Sequence, residues 1–410
     1  MEDVLSHGNL NRYTSHLPLN TDSSRPAMGY QDDDHLLSGG SAIASGFLLL
    51  ARRQYDTDPA IEWPHRLFSE CGIDGGAVNS MAISPNGRYI ASGHEYESIT
   101  VWSLESNTLA YKIIDLEGGP NTNASLAWSP DSTMLVSGSD GLGFIWKVIG
   151  DTCDIKTPSH TLLQRDPVQA IAISSDGITV ATCSSVVNLW YIDTGERLAT
   201  IKVRDQVQCA AFSPDSKRLA IAVSNSQPSI GLYEVRTGKL TVELRGHSGI
   251  VWTLSFSSNS KRIVTSSDDH TARVWDVVTG EQLVSIREHI GPVWCAKFSP
   301  DDKEILTGSY DSLVAVCDSS TGASRLLLRD RSPRAEVVAY TPSGDYIVAG
   351  CTNGTIKIWE NAGGRFVCEI RGHNDKVKNV DFTPDGKKII TSGDDGTVRV
   401  WDLVDILRIA

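Results

Sequence analysis

Val377-Lys378-Asn379-Val380-Asp381-Phe382, then Thr383-Pro384-Asp385-Gly386, then Ile389-Ile390-Thr391-Ser392, then Asp394-Asp395-Gly396, then Thr397-Val398-Arg399-Val400-Trp401: these runs near the end of the 410-residue chain decide its fold. The first, third and fifth are short, rich in β-branched and aromatic residues, and bounded by turn residues, which is the pattern of strands. The second and fourth carry Pro, Asp and Gly, which preset or tolerate the φ values that tight turns require. Working outward, the same order recurs. Val293-Trp294-Cys295-Ala296-Lys297-Phe298 is an equivalent first strand, and Leu283-Val284-Ser285-Ile286 is an equivalent fourth.

The turn after the first strand is the clearest marker. It reads Ser84-Pro85-Asn86-Gly87, Ser129-Pro130-Asp131-Ser132, Ser174-Ser175-Asp176-Gly177, Ser213-Pro214-Asp215-Ser216, Ser257-Ser258-Asn259-Ser260, Ser299-Pro300-Asp301-Asp302, Thr341-Pro342-Ser343-Gly344 and Thr383-Pro384-Asp385-Gly386. Successive starts are 45, 45, 39, 44, 42, 42 and 42 residues apart. A period of about 40 to 45 residues, with four short strands per unit, is that of propeller blades. The predicted fold is therefore all-β: a β-propeller of four-stranded antiparallel blades over residues 61–410. Residues 1–60 are polar, contain Asp32-Asp33-Asp34 and show no period. They are expected to be a mostly disordered tail with one apolar island at 42–51.

Here the sequence resembles the WD-repeat family, over about residues 64–402. Val274-Trp275-Asp276 and Val400-Trp401-Asp402 match its Trp-Asp signature; Gly246-His247 and Gly372-His373 match its Gly-His signature, and Glu288-His289 is a near relative. The resemblance implies a buried hydrogen-bond network of His, Thr, Asp and Trp in each well-matched unit. The matching residues are His247, Thr265, Asp269 and Trp275 in the fifth unit and His373, Thr391, Asp395 and Trp401 in the eighth. The sixth keeps His289, Thr307 and Asp311 but has Cys317 in place of Trp. The fourth has Tyr233 there. The first, second, third and seventh keep Trp102, Trp146, Trp190 and Trp359 without the His, and the third has a shortened turn at Ser184-Ser185. The C-terminal units are thus expected to be better locked and units one to four more mobile. A nucleophilic Ser/His/Asp site uses similar residue types, but this set recurs from unit to unit whereas a catalytic site occurs once.

Family members begin each repeat with the outer strand of the previous blade. Residues 65–70 are then placed to clasp 397–402, closing a ring of eight. The alternatives are seven blades with a degenerate first unit, or a last outer strand drawn from Leu403 to Ala410.

The resemblance also implies protein binding at the rim of the central channel, on the face bearing the Gly-His turns. Aligned rim positions are Asn79, Ala124, Gln169, Gln208, Trp252, Trp294, Glu336 and Lys378. Trp252 and Trp294 form the candidate hot spot, with core packing between blades the competing reading. Trp128 aligns instead with Phe256 and Phe382 as core. His270, His94 and Tyr96 are candidate loop contacts.

Composition limits the function classes. Lys plus Arg is 37 and Asp plus Glu is 50, a formal charge of −13. An acidic chain is repelled by nucleic acid and anionic membrane surfaces, so neither is an expected partner. The eight cysteines form no metal-ligand spacing, and no phosphate loop or zinc motif is present, so no cofactor, metal or catalytic residue is predicted. No signal peptide or membrane-length apolar run occurs. The expectation is an intracellular protein, cytoplasmic or nuclear. It is expected to be a non-catalytic scaffold or adaptor that binds proteins or peptides, as a monomeric propeller within a complex. Alternatives are a sensor or substrate receptor of a signalling or ubiquitin-ligase assembly, and a propeller enzyme. The family's Trp-Asp-x-Arg ligase-adaptor motif would need Arg at Val278 or Val404, which weakens the ligase reading.

Overall fold

A computed structural model of the chain describes residues 65–69, 77–94, 99–113, 125–139, 141–148, 157–224, 228–329 and 334–409. The tail expected over 1–60, its apolar island, Tyr96 and Ala124 lie outside the described residues.

Eight four-stranded antiparallel sheets are present. Blades 1 to 7 span 78–113, 126–163, 170–202, 207–245, 251–286, 293–329 and 335–371. Each has its strands in sequence order from inner to outer. Blade 8 takes three strands from 377–402, and its outer strand is His65–Ser69, paired antiparallel with Val398–Asp402. The expected clasp is therefore the observed one. The alternative outer strand is not formed: Leu403–Ile409 is a short α-helix that buries Leu403 and Ile406. Every inner strand contacts the inner strands of both neighbours, and Val78–Ile83 contacts Val377–Phe382, which completes a ring of eight.

What holds the ring is apolar surface between blades. Each hydrophobic cluster is drawn from two neighbours. One joins Leu232 and Leu244 of blade 4 to Leu254, Phe256 and Trp275 of blade 5. Another joins Val78 and Ile90 of blade 1 to Ile390, Val398 and Val400 of blade 8. Burying one such side chain is worth about 1.5–3 kcal/mol, more than the roughly 1 kcal/mol net of a single hydrogen bond. Trp128 is fully buried as expected, stacked on Tyr89 with its indole N–H donating to Ala82 O at 3.1 Å.

Hydrogen bonds then set register. The innermost strand of each blade has one edge without a ladder partner, so its backbone groups need other satisfaction. Ser80, Ser125 and Thr253 accept from the N–H groups of Leu126, Ile171 and Ala296, each on the next blade, at 3.0–3.1 Å. The recurrent turn explains its own sequence. In blade 6, Ser299 Oγ donates to Asp301 Oδ1 (2.7 Å) and accepts from Glu304 N (2.9 Å), while Asp302 takes a φ of 60°. The fourth turn position has positive φ in all eight blades. Where it is Ser or Asp, its side chain accepts from the preceding blade's backbone: Ser132 from Asn86 N, Ser216 from Asp176 N, Ser260 from Asp215 N and Asp302 from Ser258 N. Where it is Gly, the preceding blade's proline fills the space, as Pro384 does at Gly87.

The His-Thr-Asp-Trp networks form where the resemblance placed them. His247 Nδ1 lies 2.7 Å from Asp269 Oδ2 and Nε2 lies 2.7 Å from Thr265 Oγ1, which also accepts from Trp275 Nε1 at 3.0 Å. The roles follow by elimination. A carboxylate only accepts, so Nδ1 donates; an indole only donates, so the Thr hydroxyl accepts from it and gives its own proton to Nε2. His373, Asp395, Thr391 and Trp401 repeat the geometry, and His289, Asp311 and Thr307 keep it without an indole. The three Thr side chains are fully buried, out of reach of any substrate. Gly372 and Gly246 lack a Cβ because the Trp401 and Trp275 rings lie against that space. In blade 6, where Cys317 removes the ring, Glu288 can replace the glycine.

Two features escaped the sequence reading. Gln164 stands 18 residues before Thr182, the His-to-Thr spacing of the locked blades, and serves blade 3 as the histidine does elsewhere. Its Oε1 accepts from Thr182 Oγ1 and Asn188 Nδ2 (both 2.8 Å), its Nε2 donates to Ser184 Oγ (2.7 Å), and Trp190 Nε1 donates to Thr182 (2.8 Å). Blade 2 also anchors its indole, Trp146 Nε1 donating to Ser137 Oγ at 2.9 Å. Hydrogen-bonded locking therefore extends beyond the C-terminal blades. His94 is corrected: it is not a loop contact but the last residue of strand Tyr89–His94, 2% exposed, with Nε2 3.2 Å from both Ser92 Oγ and Thr100 Oγ1.

Two tests follow from this packing. Gln164→Leu strands the polar groups of Thr182, Asn188 and Ser184, and should destabilise the propeller by about 3 kcal/mol in chemical denaturation; an unchanged midpoint would show that blade 3 does not depend on this amide. Burial and the charge of Lys112 lower the pKa of His94 from 6.5 to about 4, and burial lowers that of His247 despite the opposing Asp269. Below pH 6.5 the unfolded chain binds protons that these sites refuse, so stability falls with pH. His94 alone should remove about 2 kcal/mol between pH 7.5 and 5, a slope that His94→Gln flattens. Below about pH 4 a further loss follows from Asp269, Asp311 and Asp395. Burial pushes these carboxyls up, but the imidazole and backbone N–H groups outweigh it and hold them well below the usual range. A melting temperature constant from pH 7.5 to 5 would refute the assignment to His94.

Candidate functional site

The aligned rim positions share one backbone feature. In the inner strands of blades 1, 4, 5, 6, 7 and 8 the register shifts across Asn79, Gln208, Trp252, Trp294, Glu336 and Lys378 respectively. A bulge leaves one residue unpaired and re-aims its side chain. Six inner strands thus carry one unpaired residue each, at the second position of the strand. Gln169 holds the corresponding place just before the inner strand of blade 3, its Nε2 donating to Gln206 Oε1 at 3.2 Å. Gln169, Gln208, Trp252, Trp294, Glu336 and Lys378 are all half-buried. Asn79 differs: it is 6% exposed, because so short a side chain stays below the level the longer ones reach.

The turns between second and third strands supply a second tier. Trp252 Nε1 donates to Asp268 Oδ1 at 2.5 Å. Burial raises the Asp268 carboxyl's pKa and this bond partly opposes the rise. Trp294 meets Tyr310 edge to face, with ring centroids 5.2 Å apart. Lys378 Nζ lies 2.6 Å from Asp394, which Lys376 also approaches at 3.3 Å. Burial raises the pKa of Glu336, offset in part by Lys376, Lys378 and Arg334. Arg334 sits over the Tyr310 ring, 3.5 Å from its centroid. His270, predicted as a loop contact, is exposed in the turn after Asp269 with a φ of 66°.

Four aligned residues and two of their neighbours therefore form an arc over blades 5 to 8: the indoles of Trp252 and Trp294, the phenol of Tyr310, the guanidinium of Arg334, the carboxylate of Glu336 and the ammonium of Lys378. Trp252 and Trp294 are neither fully core nor free; each is braced by a second-tier partner and keeps part of its surface in solvent. The sequence missed Tyr310, Arg334, Asp394 and Ile290. Tyr310 and Asp394 follow from applying the rim alignment to the next turn. Ile290, 81% exposed beside Gly291, has no periodic signal. Among the described residues no group of His, Cys, Asp and Glu is arranged to hold a metal ion, and no helix is long and apolar enough to cross a membrane.

The chain is similar to Autophagy-related protein 16 of Arabidopsis thaliana (25% identity over 242 residues, 55% of this chain and 46% of that protein). It is also similar to Protein SPA1-RELATED 3 of the same plant (26% over 284 residues, 63% and 33%) and to Apoptotic protease-activating factor 1 of Danio rerio (26% over 194 residues, 46% and 14%). It spans less than half the length of each. Among solved structures, the C-terminal WD40 domain of Sif2 superposes with a TM-score of 0.69 at 15% identity, covering 84% of this chain and 99% of that one. The computationally designed Ika8 protein gives 0.66 at 24%, covering 80% and 97%. The family described as WD domain, G-beta repeat matches residues 68–103, 119–147, 238–276, 280–318, 336–360 and 364–402; this chain belongs to the WD40 family.

Proposed function

We propose that the chain is a non-catalytic scaffold that holds one or more protein segments against the channel-mouth face of blades 5 to 8. The observation that carries this reading is the arc itself. Trp252 and Trp294 are fixed from below by Asp268 and Tyr310, so little side-chain freedom remains to be lost on binding. Aromatic side chains in this state are the usual centres of protein interfaces. Family membership supports the reading, as do relatives named for autophagy, for SPA1 relation and for apoptotic protease activation. The propeller acts as a single copy within a larger assembly, inside the cell, in the cytoplasm or the nucleus. Gln169, Gln208, Glu336 and Lys378 contribute polar contacts around the aromatic pair; Asn79, being buried, contributes least.

The experiment is affinity capture with the full chain and with Trp252→Ala and Trp294→Ala, each checked for an unchanged melting temperature. The substitutions should weaken specific partners about tenfold or more while the fold is retained. Partners retained at wild-type strength by both variants would remove this face from consideration.

A further inference from the structure

Building on the scaffold reading, we infer that the segment bound between blades 6 and 7 carries an apolar side chain followed closely by a carboxylate, the first covering Ile290, Trp294 and Tyr310 and the second meeting Arg334. Ile290 is the most exposed large apolar residue among those described, at 81%, and Tyr310 is 40% exposed. Neither sits on loose backbone. Ile290 N donates to Asp311 Oδ2 at 2.8 Å, and Tyr310 N donates to Pro292 O at 2.9 Å. An isoleucine held in water by a pinned turn costs little order to cover and gains roughly 1.5–3 kcal/mol when covered.

The charge beside this patch selects what accompanies the apolar group. Arg334, Lys376 and Lys378 face Glu336 and Asp394. Among the described residues, three cations against two carboxylates leave one net positive charge here, in a chain whose total is −13. The two lysines pair with Asp394 and also act on Glu336 more strongly than Arg334 does, so the excess falls on Arg334. Arg334 is an exposed residue, and its guanidinium lies over the Tyr310 ring. A ring face stabilises the cation but does not accept its in-plane N–H donors, which match a carboxylate bidentately. A basic segment would be repelled by Arg334. A phosphate dianion would lie against Glu336 and Asp394, so a singly charged carboxylate fits the balance better.

The test is to pan a displayed library of random peptides against the full chain, then measure the synthesised winners by fluorescence anisotropy against Trp252→Ala, Trp294→Ala, Arg334→Gln and Arg334→Glu variants of unchanged melting temperature. Winners that lose binding in Trp294→Ala should share Leu, Ile, Met or Phe at a constant spacing from Asp or Glu. Arg334→Glu should weaken them about tenfold or more, and its own winners should carry Lys or Arg at the acidic position. Trp294-dependent winners without an acidic residue, unchanged affinity in Arg334→Glu, or phosphoserine replacing Asp with a gain of about tenfold or more would overturn the inference and leave the scaffold reading standing. Winners indifferent to both Trp252 and Trp294 would remove both.

Discussion

A blade has two apolar faces, and nothing within the blade can cover either of them. That constraint organises the molecule. Leu232 and Leu244 find their cover in Phe256 and Trp275 of the next sheet, and Val78 and Ile90 find theirs in Ile390 and Val398 at the far end of the sequence. A linear stack would leave two faces wet; a closed circle leaves none. The hydrogen-bond networks are secondary in energy, and they act on a different property. Each fixes which turn sits over which strand, so that packing faces meet in one register rather than several. The hydroxyl stitches from Ser80, Ser125 and Thr253 do the same between blades.

The fold was legible because two signals coincided: a turn whose four positions each have a physical task, and a fixed period between its copies. The clasp was legible from the position of residues 65–70 relative to the first complete unit. Seven blades was a real alternative until the pairing of His65–Ser69 with Val398–Asp402. The networks of blades 5, 6 and 8 could be read residue by residue. Gln164 could not, because an amide replaces an imidazole and the following turn is shorter, which breaks the spacing to Trp190. His94 misled for the opposite reason: a polar residue beside a long connection reads as loop, yet the strand runs one residue further and turns it inward.

The rim shows a similar division. Alignment found the bulged positions without knowing that they were bulges, since any unpaired residue between two core-facing neighbours interrupts the apolar alternation. What it could not supply was the second tier. Whether an indole is braced or free depends on a turn some sixteen residues away, as Asp268 and Tyr310 are from Trp252 and Trp294. The excess cation at Arg334 is likewise a property of three blades together, invisible in any one repeat.

The junction of the first and last strands has a consequence for how the protein comes into being. During synthesis His65–Ser69 leaves the ribosome long before its hydrogen-bonding partner Val398–Asp402. Seven sheets can assemble in order behind it, yet the circle stays open, with bare apolar faces at both ends, until Val398–Asp402 has emerged. Final closure joins segments separated by almost the whole propeller, the kind of contact that folds slowly, and over that interval the nascent sheets need protection from their neighbours.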